Sequence, residues 1–261
     1  FDDHQNNTLT TLKLFNRISD FKSIEKVVYS AAGCAVAEKT FDSANATDED
    51  ASVSLFHDSP YSISKLIGEM YGNYFFQKNG MPFVKARFQN VYGPREILGA
   101  GKWRGTQHTV WRNVIPTFIF KSLNNEALPL DNGGKGTRDF IFVEDVVKGL
   151  IQCALVGNPG EAYNLASGKE TSVYELAKHI NNITGNTTPL DLKKPRDWDR
   201  SGKRFGSTIK SKEFINFEAE VEIDEGLNKT IEWTKNNLDL IKKTIGKHQN
   251  NLKDVIKYLN N

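Results

Sequence analysis

Helical periodicity and short apolar runs alternate along this chain, and that alternation leaves few folds open to it. Leu9, Leu12, Leu14, Phe15 and Ile18 recur at helical spacing, and residues 27–32 follow as a short buried strand. A helix over 61–77 then leads into a strand over 83–88, whose run suits a parallel sheet covered on both faces. Further along, the pattern predicts a helix over 116–123, a strand over 138–143, a helix over 146–155 and a strand over 162–165. Amphipathic helices over 173–183 and 227–238 complete it. The fold class this implies is α/β.

Composition removes several classes of function. With 38% hydrophobic and 25% charged residues, 261 residues can bury a substantial core. The 34 basic residues against 32 acidic ones leave a net charge of +2, too small for a surface that tracks nucleic-acid phosphates. No apolar run has the length of a membrane helix, and the opening FDDHQNNT lacks the parts of a signal peptide, so a cytoplasmic protein with no membrane partner is expected. Cys34 and Cys153 are too few and too far apart for a disulfide framework. His4, His57, His108, His179 and His248 lack ligand spacing, so no metal is expected and each histidine is read as a surface or capping residue. Two stretches, 93–112 and 186–220, are rich in Gly, Arg, Lys, Trp and Pro and read as long binding loops. Trp103, Trp111 and Trp198 fall in them, where loop anchoring competes with stacking on a ligand. From Lys242 onward the polar sequence reads as a surface helix or tail.

Tyr61 and Lys65 stand four apart, so in a helix they share a face. Spacing alone does not single them out, because Tyr74 with Lys78 and Tyr174 with Lys178 repeat it. Context separates them. Ser59 is an N-cap candidate and Pro60 a first-turn proline, which puts Tyr61 at a helix start beside a loop. A tyrosine there suits proton transfer if a neighbouring ammonium lowers its pKa toward neutrality, whereas the bland alternative is a half-buried anchor beside a solvated lysine.

Several segments in order, among them VVYSAAG at 27–33, SPYSISK at 59–65, RFQNVYGP at 87–94, RNVIPTF at 112–118 and GGKGTRDFIFVEDV at 133–146, resemble the extended short-chain dehydrogenase/reductases, specifically the NAD-dependent nucleotide-sugar epimerase/dehydratase group. The resemblance runs from Asn6 to about Leu238. It implies a Rossmann-type parallel sheet with a smaller substrate-binding domain, NAD as cofactor, a nucleotide-diphosphate sugar as substrate and a homodimer. By that likeness Tyr61 is the proton shuttle and Lys65 holds the nicotinamide ribose, with Asn7, Ser30 and Phe88 beside the cofactor. It likewise assigns Asn90, Asn113, Val114, Arg138, Arg196 and Asp199 to the substrate. Arginine forks suit phosphate oxygens, and an aspartate accepts from sugar hydroxyls. The dimer contact implied is the tyrosine helix, through Ile63, Leu66, Ile67, Met70 and Phe75.

Two departures qualify the likeness. No glycine-rich strand-to-helix turn follows a strand, and the glycines of GAGKWRG stand in a loop, so the expectation is a fragment or remnant that binds NAD weakly. Ala32 stands where the family has its catalytic serine or threonine, with Ser30 and Cys34 the residues available to compensate. Gly33 and Cys34 occupy the place of the dehydratase acidic residue, which favours epimerisation at C4 over elimination. The alternatives are a catalytically impaired nucleotide-sugar-binding remnant, and a dehydratase or reductase of the same group. The domain expectation is a partial NAD-binding part at 1–92 and 133–157, a nucleotide-sugar part at 93–132 and 158–240, and a tail at 241–261.

Overall fold

The computed structural model describes residues 1–36, 40, 42–57, 59–195 and 202–259. A π-helical turn (His4–Leu9) runs into α1 (Thr10–Ile18), followed by β1 (Val27–Ala32), β2 (Ala46–Thr47), α2 (Pro60–Asn79), β3 (Phe83–Phe88) and β4 (Asn90–Tyr92). Next come α3 (Val114–Leu123), β5 (Pro129–Leu130), β6 (Thr137–Arg138), β7 (Phe140–Phe142), α4 (Val143–Val156) and β8 (Ala162–Leu165). The remainder is β9 (Thr171–Ser172), α5 (Val173–Thr184), β10 (Asp191–Leu192), β11 (Phe205–Gly206), α6 (Ile209–Ile215), α7 (Ile223–Asn236) and α8 (Leu238–Gly246).

The chain forms two compact units. The first comprises Phe1–Val91, Gly136–Thr171 and Arg196–Val221, and the second Tyr92–Lys135, Ser172–Pro195 and Glu222–Asn261. Residues 158–171 and 202–221, expected with the nucleotide-sugar part, thus cluster with the first unit. The reason is that β8 is a strand of its sheet and α6 packs on that strand.

In the first unit β1, β3 and β8 form a parallel sheet in that order, with Val27 opposite Phe83 and Phe88 opposite both Ala32 and Leu165. Residues alternate across it as the period of two requires. Val84, Ala86 and Phe88 join Ile141, Val146, Cys153 and Phe217 on one face, while Tyr29, Ala31 and Phe83 join Phe15, Phe75 and Met81 on the other. The second face takes α2, whose start is fixed by the Ser59 hydroxyl accepting from the Ser62 N–H at 3.2 Å, with Pro60 as its first residue. Gly80 in the left-handed region ends it.

Gly68 and Gly72 let this helix lie close to the strands. A Cβ on Gly68 would come within 2.0 Å of the Tyr29 hydroxyl, and one on Gly72 within 2.0 Å of the Phe83 ring. Gly72→Ala is expected to cost about 1–3 kcal/mol by overpacking, despite the better helix propensity of alanine, as urea denaturation would read. A stabilised variant would refute this close-packing account.

In the second unit α8 and the 3-10 segment Lys253–Tyr258 are core elements rather than a surface tail. Ile241, Ile245, Val255 and Tyr258 are buried with Leu98, Val110 and Phe120. Ile241 and Ile245 stand four apart and Val255 and Tyr258 three apart, but the polar residues around them leave the stretch only weak helical character in sequence. His248 is buried, with Nε2 2.9 Å from the Gly99 carbonyl, which corrects its reading as a surface histidine. Trp111 packs on Phe120 and Tyr258, and Trp103 on His248. The stretch expected as a loop over 186–220 contains β10, β11 and α6, and Val143, expected in a strand, begins α4.

Candidate active site

Tyr61, Lys65, Glu69 and Asn73 follow one another at four-residue intervals along α2, on the stripe that meets β1 and β3. Because the glycines bring the helix close, Lys65 Nζ reaches across to donate to the Ser30 carbonyl at 2.9 Å. The same ammonium lies 5.3 Å from the Tyr29 ring centroid and 6.0 Å from that of Tyr61. Burial lowers the Lys65 pKa from its ordinary value, and Cys34 opposes that shift. The other two tyrosine–lysine pairs differ in kind. Lys78 donates to the Tyr74 hydroxyl at 2.9 Å on the surface of the same helix, and Lys178 lies over the Tyr174 ring on α5. Only the pair at the head of α2 joins its lysine to a strand.

The rest of this surface is built from hydroxyls and amides. Asn7, in the π-helical turn, donates to Ser64 Oγ at 3.0 Å, and Ser64 donates to the Tyr61 carbonyl at 2.8 Å. The π-turn, a form often found at functional positions, thereby contacts the tyrosine turn. Ala32 ends β1 with 5% exposure and offers no hydroxyl. Two residues on, Cys34 Sγ lies 3.7 Å from Ser62 Oγ, which is itself 3.1 Å from Ser59 Oγ. Ser30 faces outward with its carbonyl on Lys65, and Phe88 is half-buried at the end of β3. Asn90 donates to the Asp139 carbonyl at 3.4 Å. Arg138 donates through Nη1 to the carbonyls of Thr137 and Gly202 at 2.5 and 2.8 Å. Arg196, Trp198 and Asp199 lie outside the described residues.

Asp139, next to Arg138, escaped the sequence reading. Its carboxylate accepts from Ser167 N and Oγ at 2.8 and 2.7 Å, from Gly168 N at 3.0 Å and from Gly206 N at 3.2 Å. Burial nonetheless raises its pKa above the usual carboxylate range. This carboxylate ties the strand carrying Arg138 to β11. The only signal in sequence was its place in TRDF, which does not disclose partners 28 and 67 residues away.

The second unit holds its own concavity of about 400 Å³, beside the start of α3. Asn113 is the N-cap and Val114 the first helical residue, and the Asn113 side chain makes no cap hydrogen bond. Its Nδ2 donates instead to Glu96 Oε1. Burial pushes the Glu96 carboxyl up, and the Asn113 hydrogen bond and Arg112 oppose that. Among the described residues no group of His, Cys, Asp and Glu is arranged to hold a metal ion, and no helix is long and apolar enough to cross a membrane.

Comparison with known proteins adds to this geometry. Residues 2–166 match the NAD dependent epimerase/dehydratase family. A putative UDP-glucose 4-epimerase of Methanocaldococcus jannaschii is 30% identical over 231 residues, covering 88% of this chain and 70% of the archaeal one. Human dTDP-D-glucose 4,6-dehydratase is 29% identical over 69% of this chain, which spans about half (49%) of the human protein. Among solved structures, the Bordetella bronchiseptica enzyme WbmF, crystallised with NAD+ and UDP, is 55% identical with a TM-score of 0.83, over 97% of this chain and 71% of that one. UDP-glucose 4-epimerase of Thermotoga maritima with UDP-glucose is 27% identical with a TM-score of 0.78, over 90% of this chain and 71% of the other.

Proposed function

Because the chain belongs to the NAD dependent epimerase/dehydratase family, we propose that it serves the C4 epimerisation of a nucleotide-diphosphate sugar with NAD as cofactor. The observation that carries this reading is the Lys65 ammonium, held on the Ser30 carbonyl at the head of α2 below Tyr61. Its donor chemistry fits the hydroxyls of a nicotinamide ribose, since the Ser30 carbonyl occupies one of three N–H groups. When bound, NAD supplies the acceptor and later the donor of the hydride at C4.

The chain's own residues do the rest. Tyr61, 42% exposed, takes the proton of the sugar hydroxyl and returns it after the 4-keto sugar has turned over its other face. Lys65 favours the phenolate by its charge. Asn7 fixes the Tyr61 turn through Ser64, and Arg138 stands for the diphosphate, its Nη1 seated on two backbone carbonyls. Against elimination, the turn Gly33–Ala35 after β1 carries no carboxylate. For the dimer, Ile63 and Met70 are 44% and 56% exposed on α2 and suit a second copy, whereas Phe75 belongs to the core. Sedimentation velocity reads that contact directly, and a monomer at micromolar concentration would remove it.

A second reading, a nucleotide-sugar-binding protein without turnover, is favoured by Ala32, which cannot hydrogen-bond the reacting hydroxyl. Calorimetry with UDP and NAD separately, with product analysis on UDP-glucose plus NAD, distinguishes the two. Turnover supports epimerisation. UDP binding without turnover moves the assignment to the second reading, and no UDP binding removes both.

A further inference from the structure

Every described residue that lines the concavity of the second unit comes from one stretch, 96–116, and most of that stretch is loop. Its two ends meet where the Asn113 side chain donates to Glu96. Between them stand a 3-10 turn, Gln107–Thr109, and the bond from the Arg104 N–H to Thr109 Oγ1 at 3.0 Å. The end of the chain holds this loop in place. Leu98 and Val110 are buried against Ile241, Ile245, Val255 and Tyr258. Gly99, at φ +68°, lies so close to α8 that a Cβ would come within 2.9 Å of the Ile245 Cα. Two hydrogen bonds fasten the loop further. His248 Nε2 donates to the Gly99 carbonyl at 2.9 Å, and Trp111 Nε1 donates to Asp254 Oδ2 at 3.2 Å. The C-terminal stretch thus grips the loop on both sides of residues 100–110. His248 is itself fixed, with its N–H on the Ile245 carbonyl at 3.0 Å and its own carbonyl accepting from the Asn251 and Leu252 N–H groups at 2.9 Å.

We propose that the C-terminal stretch 238–258 is a positioning element for ligand binding at this recess, with His248 as its positioning residue, acting on the ligand only through the Gly99 loop. The stretch lies outside residues 2–166, which carry the family match, and it begins where the family resemblance ends. The inference rests on the nucleotide-sugar reading, in which Asn113 belongs to the substrate, and adds which part of the chain shapes the loop that Asn113 closes. A loop already held in one form loses less freedom on binding than one the ligand must gather. The His248 bond suits that task. A departing loop would leave a buried imidazole N–H and a buried main-chain carbonyl without partners, so the held form is the favoured one before a ligand arrives.

The test is calorimetry with UDP on the 261-residue chain and on its His248→Phe, His248→Gln and Asp254→Ala variants, with amide hydrogen exchange on the same samples. His248→Phe is expected to bind UDP about tenfold more weakly and Asp254→Ala about threefold more weakly. His248→Gln, whose amide can still donate to the Gly99 carbonyl, is expected to recover most of the loss. In His248→Phe the amides of Arg104, Thr109 and Val110 are expected to exchange about tenfold faster while those of α5, in the same unit, keep their rates. Unchanged UDP affinity in both His248→Phe and Asp254→Ala would overturn the proposal. Equal acceleration in α5 would also overturn it, because His248 would then serve the unit's stability at large. Asp254 is exposed, so its variant keeps the fold and decides the matter by itself if His248→Phe does not fold. If UDP does not bind the folded, unaltered chain, the nucleotide-sugar reading itself fails and this inference goes with it.

Discussion

Replacing Tyr61 by phenylalanine is expected to lower the rate of sugar turnover by about 10²- to 10⁴-fold, the contribution of a positioned general acid or base. The melting temperature is expected to stay nearly constant, because the substitution removes one oxygen from a ring that is 42% exposed. The ring remains beside Lys65, and the bonds that set the turn, Ser59 to Ser62 and Asn7 to Ser64, do not involve the phenol oxygen. Binding of UDP should therefore persist while turnover collapses, which separates a proton-transfer role from a packing role. Unchanged turnover in Tyr61→Phe would end the assignment of the phenol as proton shuttle.

Arg87→Leu is expected to have the largest effect on stability. Arg87 grips Glu69 through Nε and Nη2 at 2.9 and 2.8 Å, with both side chains under 10% exposed, and donates through Nη1 to the Glu49 carbonyl at 2.5 Å. Glu49 in turn accepts the Asn164 N–H of β8 at 2.7 Å. Leucine would leave the Glu69 carboxylate buried without its partner, at a cost of about 3–5 kcal/mol. For a protein of this size that corresponds to a fall of roughly 10 °C in Tm. The double variant Glu69→Met/Arg87→Leu is expected to recover most of the loss, since no orphaned charge remains. A single variant that loses less than about 1 kcal/mol in urea denaturation would contradict the view that this pair is a buried constraint. The network bears on function through geometry. Glu69 stands one turn after Lys65 on the same stripe of α2, so the ion pair helps hold the helix at the distance from which Lys65 reaches β1.

The same pair marks a limit of sequence reading. In FVKARF the strand was legible, yet Lys85 and Arg87 are buried at 7% and 6% exposure on the α2 face, a place periodicity reserves for apolar residues. Lys85 is satisfied by the Asn73 side chain and the Gly160 carbonyl at 2.8 and 2.6 Å, and Arg87 by Glu69. Those partners come from other elements, so nothing local announces them. The Asn113 amide, expected at the substrate, is directed to Glu96 for the same kind of reason. Loop residues 17 apart are brought together only by the path of the chain between them.

What the sequence determined by itself was the α/β class, the strands β1, β3 and β8, the course of α2 and the setting of Tyr61 and Lys65 at its head. These follow from spacing, capping residues and apolar runs, which act within a few residues of one another. The tertiary structure alone decided which Tyr–Lys pair meets a strand, that Asp139 ties Arg138 to β11, and that the polar C-terminal stretch lends Ile241, Ile245, Val255 and Tyr258 to a core. Each of these depends on free energy gained between residues remote in sequence, through burial and hydrogen bonds that exist only once the elements are packed.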